Sequence, residues 1–452
     1  MQKRISPENK LQYMTETPLP RLIFSLAVPT IISMLITALY NLADTFFVGL
    51  IGDASATGAI GVVFPLMNIM QAVAFMFGHG SGNYISRALG AGKTEDAEKM
   101  ASTGFFTSLI AGALLMLTGL LFSGPIAKLL GATDTILPFA KQYILLLMPG
   151  VPFLIGSFVV NNQLRFQGSA FYGMIGMTCG TILNVILDPF FIFGLNMGVT
   201  GAALATSIGQ FVSFVMLLIM TRKGGNIRIR FKNFSPKLSR FAEIFLGGVP
   251  SLARQGLASI SAICLNLAAG PFLDAAIAAM SNVTRVMQIC NSAIIGFGQG
   301  FQPVCGFNYG AKKYGRVKAA FWFSVKVCTA VLLVTALVVW PLAPQIMRLL
   351  IKDSPEVWQI GEPALRYQCI VLPLAAFVIM SNMLLQTIGM AGRATLLATA
   401  RQGLFLIPMV FTLPRLLGLL GLQLSQPVSD LLAFLMAVPI VLLSLKNFPE
   451  DE

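Results

Sequence analysis

From Leu22 to Leu443 the chain is a succession of apolar stretches, each nearly free of charge. Stretches of about 20 residues suit helices that cross a hydrocarbon core about 30 Å thick. Twelve are counted, at 21–46, 58–83, 101–123, 138–161, 168–193, 198–221, 242–270, 277–305, 319–343, 363–387, 393–415 and 427–446. Only 11% of the residues are charged and 56% are hydrophobic, where a soluble protein carries about 25% charged residues. The expectation is an all-α membrane protein of twelve transmembrane helices. Outer-membrane strands would alternate apolar and polar residues, and runs such as 330–339 do not. The first stretch lies behind a 20-residue polar arm with no obvious A-x-A site, so it reads as a span and not as a cleaved signal.

A net charge of +13 could suggest nucleic acid, but the positions of the charges argue otherwise. Counting loops alternately, 21 Lys and Arg residues fall on the side that carries both termini and five on the other: Lys128, Lys141, Arg348, Lys352 and Arg415. Arg165, following the fourth span, is counted among the 21. The positive-inside rule then predicts cytoplasmic termini and no nucleic-acid partner. The six cysteines sit in or beside apolar spans without a C-x-x-C pair, and His79 is the only histidine, which is poor material for a metal site.

The longest polar stretch, Arg222 to Arg240, falls near the middle and divides the chain into an N-terminal lobe (1–221), a basic cytoplasmic linker (222–241) and a C-terminal lobe (242–452). The two halves echo each other about 220 residues apart. Val28-Pro29 returns as Val249-Pro250, and Leu89-Gly90-Ala91-Gly92-Lys93 as Tyr309-Gly310-Ala311-Lys312-Lys313. Six spans per half make the repeats parallel, related by an axis along the membrane normal, as in transporters that rock two lobes about a central site. The alternatives are a receptor or membrane enzyme built on the same duplication, but no catalytic constellation is present and the chain is read as no enzyme.

Charge inside a bilayer is costly, so intramembrane acids are functional suspects. In the first half only Asp44 and Asp188 lie well inside spans. Asn184 and Asp188 are four apart and share a helix face. Pro189 follows at once and predicts a bend or loosening. Burial raises a carboxyl pKa, which would let such an acid load a proton on one side and release it on the other. The bland alternative is that both acids cap helices near the interface. In the second half Arg254, Arg285, Lys326, Arg366 and Arg401 fall in or near spans with Asp430 as the only comparable acid. They are read as structural or gating groups.

The residues now on the page resemble the multidrug and toxic compound extrusion (MATE) transporters. The resemblance rests on Tyr40-Asn41-Leu42-Ala43-Asp44-Thr45-Phe46-Phe47-Val48-Gly49, Ser86-Arg87-Ala88-Leu89-Gly90-Ala91-Gly92, the string around Leu187-Asp188-Pro189, and Gly201-Ala202-Ala203-Leu204-Ala205-Thr206. It implies a V-shaped pair of six-helix bundles that exports amphipathic, mostly cationic small molecules against an inward flow of protons or sodium ions. By resemblance, the coupling network maps onto Asp44, Asn184, Asp188 and Thr206, with Tyr40, Asn161 and Asp44 meeting substrate. The seventh, eighth and tenth spans hold no well-buried acid, unlike the NorM-like branch, so the chain looks DinF-like or MepA-like and proton coupling is favoured over sodium. A lipid or lipid-linked sugar flippase is the rival within the broader superfamily. Further expectations are a monomer in the inner (cytoplasmic) membrane, with lipid as its partner and no cofactor beyond the coupling ion.

Overall fold

The computed structural model describes residues 7–51, 54–272, 274–350 and 354–451; side chains at 7, 8, 38, 40–45, 54–57 and 274 lie outside the description. Among the described residues there is no strand. A short helix α1 (Pro7–Glu16) precedes α2 (Leu19–Gly49), α3 (Ala54–Gly90) and α4 (Thr94–Leu121). A short α5 (Ser123–Leu129) leads to α6 (Leu137–Leu147) and α7 (Val151–Phe166), which a 3-10 turn joins into one span. The first lobe ends with α8 (Ala170–Pro189) and α9 (Val199–Thr221). The second lobe comprises α10 (Leu238–Ala269), α11 (Asp274–Gly310), α12 (Tyr314–Leu350), α13 (Pro355–Thr387), the broken span α14 (Ala391–Thr399) with α15 (Leu406–Leu417), and α16 (Leu419–Lys446).

Among the described residues, eleven helical segments are long and apolar enough to span a membrane. The twelfth span is α11, 37 residues long, whose hydropathy is lowered by polar residues such as Asn291, Gln299 and Gln302. Spanning helices satisfy their backbone groups internally, which is why this architecture is available to a chain solvated by lipid. Most helices outrun their apolar stretches. α3 continues to Gly90 and α10 begins at Leu238, because beyond the bilayer water also tolerates the helical ladder.

The repeat is visible in how the lobes meet. The first helix of each lobe packs against the second helix of the other: α2 against α11, and α10 against α3. In both cases a hydroxyl directly after a proline reaches across. Thr30, after Pro29, donates to the Gly296 carbonyl at 2.7 Å, and Ser251, after Pro250, lies 2.7 Å from His79 Nδ1. Backbones approach closely enough that a Cβ on Gly80 would sit 2.0 Å from the Ile244 carbonyl oxygen, so only glycine fits there. Lower still, Arg87 donates to the Thr387 carbonyl at 2.7 Å and pairs with Glu243 at 3.2 Å. These contacts lie in the halves of the helices nearest the termini and basic loops, so the apex of the V is on that side and the cleft between the lobes opens on the other.

Two segments brace the apex. In α1, Lys10 Nζ donates to Ser169 Oγ at 3.0 Å and Asn226 Oδ1 at 2.8 Å in the first lobe. The carbonyls of Met14 and Thr17 accept from Asn308 Nδ2 (3.1 Å) and Arg316 Nη2 (2.8 Å) in the second. Met14 is itself fully buried, so α1 is a strap held by both lobes. Burial without a carboxylate brings the Lys10 ammonium down to a pKa of about 7. The segment read as a basic linker is also docked. Its Arg230 and Ser235 amides donate to Ser102 Oγ and Thr103 Oγ1, both at 3.2 Å, and Phe231 and Phe234 pack on Phe106. Arg240 pairs with Asp96 at 3.4 Å. Aromatic residues and bare α4 hydroxyls hold in place what charge alone marks as solvated.

Candidate functional site

The site is built on the seam between α8 and α9. Residues Gly173, Gly176, Gly180, Asn184 and Asp188 recur every three or four positions and are all buried, so they form one stripe along α8. Its lower part is glycine because α9 presses against Gly176 and Gly180, and Asn161 of α7 against Gly173. A Cβ on Gly180 would lie 2.1 Å from Ser213 Oγ and 2.2 Å from the Gly209 carbonyl. Further up, the stripe becomes polar. Asn184 Nδ2 donates to Thr206 Oγ1 of α9 at 3.3 Å, while Asn184 Oδ1 is buried without a hydrogen-bond partner. One turn higher, the Asp188 side chain is fully buried.

Met177, Thr181 and Asn184 on α8 and Thr206, Gln210 and Ser213 on α9 line a narrow crevice beside this pair. Thr206 and Gln210 also face an apolar crevice on the other side of α9, with Met67, Met70 and Leu147. Gln210 was not singled out from the sequence, although it sits four residues after Thr206, a spacing that marks a shared face. The loosening expected at Pro189 takes a definite form. α8 ends there and Phe190–Gly194 form a π-helix, a widened turn frequently found at functional sites.

The structure thus brings together Asn184 and Thr206, with Asp188 one turn along the same stripe. Tyr40 and Asp44 belong to the far half of α2, and their side chains lie outside the described residues. Asn161 is placed elsewhere. Its Oδ1 lies against Gly173, which is eleven residues, or about 16 Å of helix, below Asn184. Arg165, assigned to a loop from the sequence, is instead in the last turn of α7 and only 3% exposed, because that helix ends recessed beneath α1 and the segment after α9.

The second lobe has its own polar core. Asp430 accepts from Arg401 Nε at 2.6 Å, Gln368 Nε2 at 2.6 Å and Gln426 Nε2 at 3.0 Å. Arg401 lies in a second π-helix, Ala400–Phe405, so each lobe widens a turn of its fifth span. Arg366 pairs with Glu362 at 3.0 Å, and Arg254 reaches Asn382 Oδ1 at 3.4 Å. Arg285 and Lys326 are exposed.

A family model, MatE, matches the chain twice, over residues 29–190 and 250–412. The chain belongs to the MatE family. The second MatE match begins 221 residues after the first (250 less 29), the offset that the paired prolines show. The chain is 28% identical over 437 residues to the multidrug export protein MepA of Staphylococcus aureus, covering 96% of each. It superimposes on a crystal structure of MATE in complex with MaL6 with a TM-score of 0.92 and 26% identity, covering 97% of this chain and 99% of that one. An outward-facing multidrug resistance MATE family transporter of the MOP superfamily matches with a TM-score of 0.91 and 25% identity over 98% of this chain and 99% of that one. The chain is therefore a multi-pass membrane protein of a multidrug efflux family, with the fold expected from its sequence.

Proposed function

We propose that this MatE transporter is a proton-driven antiporter that exports amphipathic, mostly cationic small molecules, with Asp188 and Asp44 as the proton-carrying groups. It works as a single chain in the cytoplasmic membrane with both termini inside, and its two lobes, joined by the docked segment 222–241, rock about the apex of the V. No cofactor is needed beyond the coupling ion. The observation that carries this reading is Asp188, wholly buried one turn above the Asn184–Thr206 pair and one residue before a proline and a π-helix. A buried carboxyl favours its neutral form. Protonation changes what the acid can accept or donate beside a helix that is already loosened, so a proton can bias its shape.

With the cleft open to the outside, the acids take protons and the drug leaves; with the lobes rocked inward, the protons leave and drug binds. One charge moved through 100 mV is worth about 2.3 kcal/mol, enough for a concentration ratio of about fifty. Sodium is a second reading, favoured by the oxygen set of Asp188, Thr206 Oγ1 and the open Asn184 Oδ1, which a hard cation could use. Efflux of a cationic dye from proteoliposomes, driven by a proton gradient or by a sodium gradient, separates the two. Proton coupling predicts that Asp188→Asn retains insertion and dye binding but loses gradient-driven efflux; full activity of that variant removes Asp188 from the mechanism.

A further inference from the structure

Beside the contact between the lobes lies a polar cluster that proton transfer through Asp188 does not use. Arg165 of the first lobe is 3% exposed; its Nη2 donates to Asn162 Oδ1 at 2.5 Å, its guanidinium lies 5.1 Å from the Phe166 ring, and its Nε is buried without an acceptor. His79, stacked on Phe75, faces Ser251 of the second lobe. Ser251 also receives Gln386 Nε2 at 2.8 Å, and His79 Nε2 is buried without a hydrogen-bond partner. Arg254, one turn beyond Ser251, donates to Asn382 Oδ1 at 3.4 Å. Phe166, which the Arg165 guanidinium covers, meets the His79 ring edge-on at 6.0 Å, and His79 bonds Ser251, three residues before Arg254, so contacting side chains link the two cations across the lobes.

Among the described residues no carboxylate joins this cluster. Glu243 is bonded to Arg87, eight residues and about 12 Å along α3 from His79. Withdrawing Arg165 from water without a counterion costs several kcal/mol, while Arg254 is partly buried. Their planar forks match the geometry of carboxylate and phosphate oxygens. One fork comes from each lobe.

We propose that Arg165 and Arg254 form a split receptor for one anionic group, a carboxylate or phosphate, which bridges the lobes while the basic side is shut. The group belongs either to an exported amphiphile or to a lipid headgroup. The receptor stands on this cluster alone and not on the role of Asp188, so its failure and that of proton coupling are told apart by a binding measurement that needs no transport.

The measurement is the thermal midpoint of the purified full chain at fixed pH and ionic strength, with millimolar inorganic phosphate replacing chloride. A parallel arm compares nanodiscs of phosphatidylcholine with nanodiscs containing phosphatidylglycerol. Wild type is expected to show a saturable rise. Arg165→Gln and Arg254→Gln each weaken it at least tenfold, while Lys326→Gln, which alters an exposed cation, does not. A rise in both arms or with phosphate alone assigns the site to free anions. A rise only with phosphatidylglycerol, lost in the same variants, assigns it to lipid. No rise in either arm, or a rise retained in both Gln variants, overturns the proposal. Removing one of two like charges leaves the fold intact, and should one variant fail to fold the other decides alone.

Discussion

Gly180 gives the sharpest test of whether the α8–α9 seam sets the geometry of the site. In Gly180→Ala the new Cβ meets the Gly209 carbonyl at 2.2 Å, where ordinary contact begins at 3.4 Å. Ser213 Oγ can rotate away, but a backbone carbonyl cannot, so the helices must part by about 1.2 Å at that level (3.4 less 2.2). Asn184 is one turn away, and its bond to Thr206 is already long at 3.3 Å. The same retreat carries that pair to about 4.5 Å, beyond hydrogen bonding. Overpacking of this kind costs about 1–3 kcal/mol, and the lost interhelical bond adds about 0.6 kcal/mol. The variant should therefore melt several degrees lower, and its dye efflux should lose its dependence on the driving ion while dye still binds. Reconstituted efflux as a function of the ion gradient, beside a thermal melt, reads both effects. Wild-type stability together with wild-type ion dependence would refute the idea that backbone proximity at Gly180 positions Asn184 and Thr206.

Three further outcomes are expected. The α1 strap should tighten with pH: a released Lys10 binds its proton with an ordinary pKa near 10.5 and the docked one near 7, so docking gains up to about tenfold per pH unit above 7 and is flat below it. Hydrogen-exchange protection over 7–16, corrected for intrinsic rates, should show that slope in wild type and none in Lys10→Gln. Asp430→Asn strands the Arg401 guanidinium and should cost about 3 kcal/mol in a thermal melt, the lower end for a broken buried pair because Arg401 is 18% exposed. The double variant Arg401→Met/Asp430→Leu should recover most of that loss, and failure to do so would mean that the pair is not an isolated unit.

Much of the fold was legible because hydropathy reports the solvent of each segment, and lipid leaves few alternatives to a helix. The stripe carrying Asn184 and Asp188 followed from a spacing of four, and the two-lobe repeat from paired prolines whose neighbours, Thr30 and Ser251, prove to make matching contacts across the lobes. Hydropathy could not tell where helices stop, since nothing in the aqueous phase obliges α3 or α10 to end with their apolar runs. It drew α11 as one more apolar span, 277–305, although Gln299 and Gln302 there face a protein interior and are 2% and 1% exposed. Asn161 was placed near the coupling residues as a substrate contact by resemblance, and only the direction of α7 relative to α8 separates it from them. Arg165 had a signal that was passed over: Asn161-Asn162-Gln163 precede it in an otherwise apolar span, a polar run that points to a protein-lined position and not to a loop.

The lobes share a backbone plan but not a charge plan, and that difference bears on how a rocking pair can be driven. Each lobe loosens its fifth span with a π-helix, Phe190–Gly194 in one and Ala400–Phe405 in the other. In the first lobe an acid stands one residue before the proline that opens that turn. In the second lobe the widened turn lies nearer the start of its span, at the level of 179–184 by the 221-residue offset, and carries Arg401; the nearby Asp430 is held by that guanidinium and two amides, so its charge is met from within the chain. A carboxylate with a permanent internal cation has little reason to exchange protons as the lobes move. On the reading proposed above, the acid that answers to an external ion is Asp188 of the first lobe, beside its π-helix, while Asp430 of the second lobe is held in an ion pair. Asymmetry of this kind lets one lobe respond to the ion while the other stays rigid, which a rocking motion about a fixed apex requires.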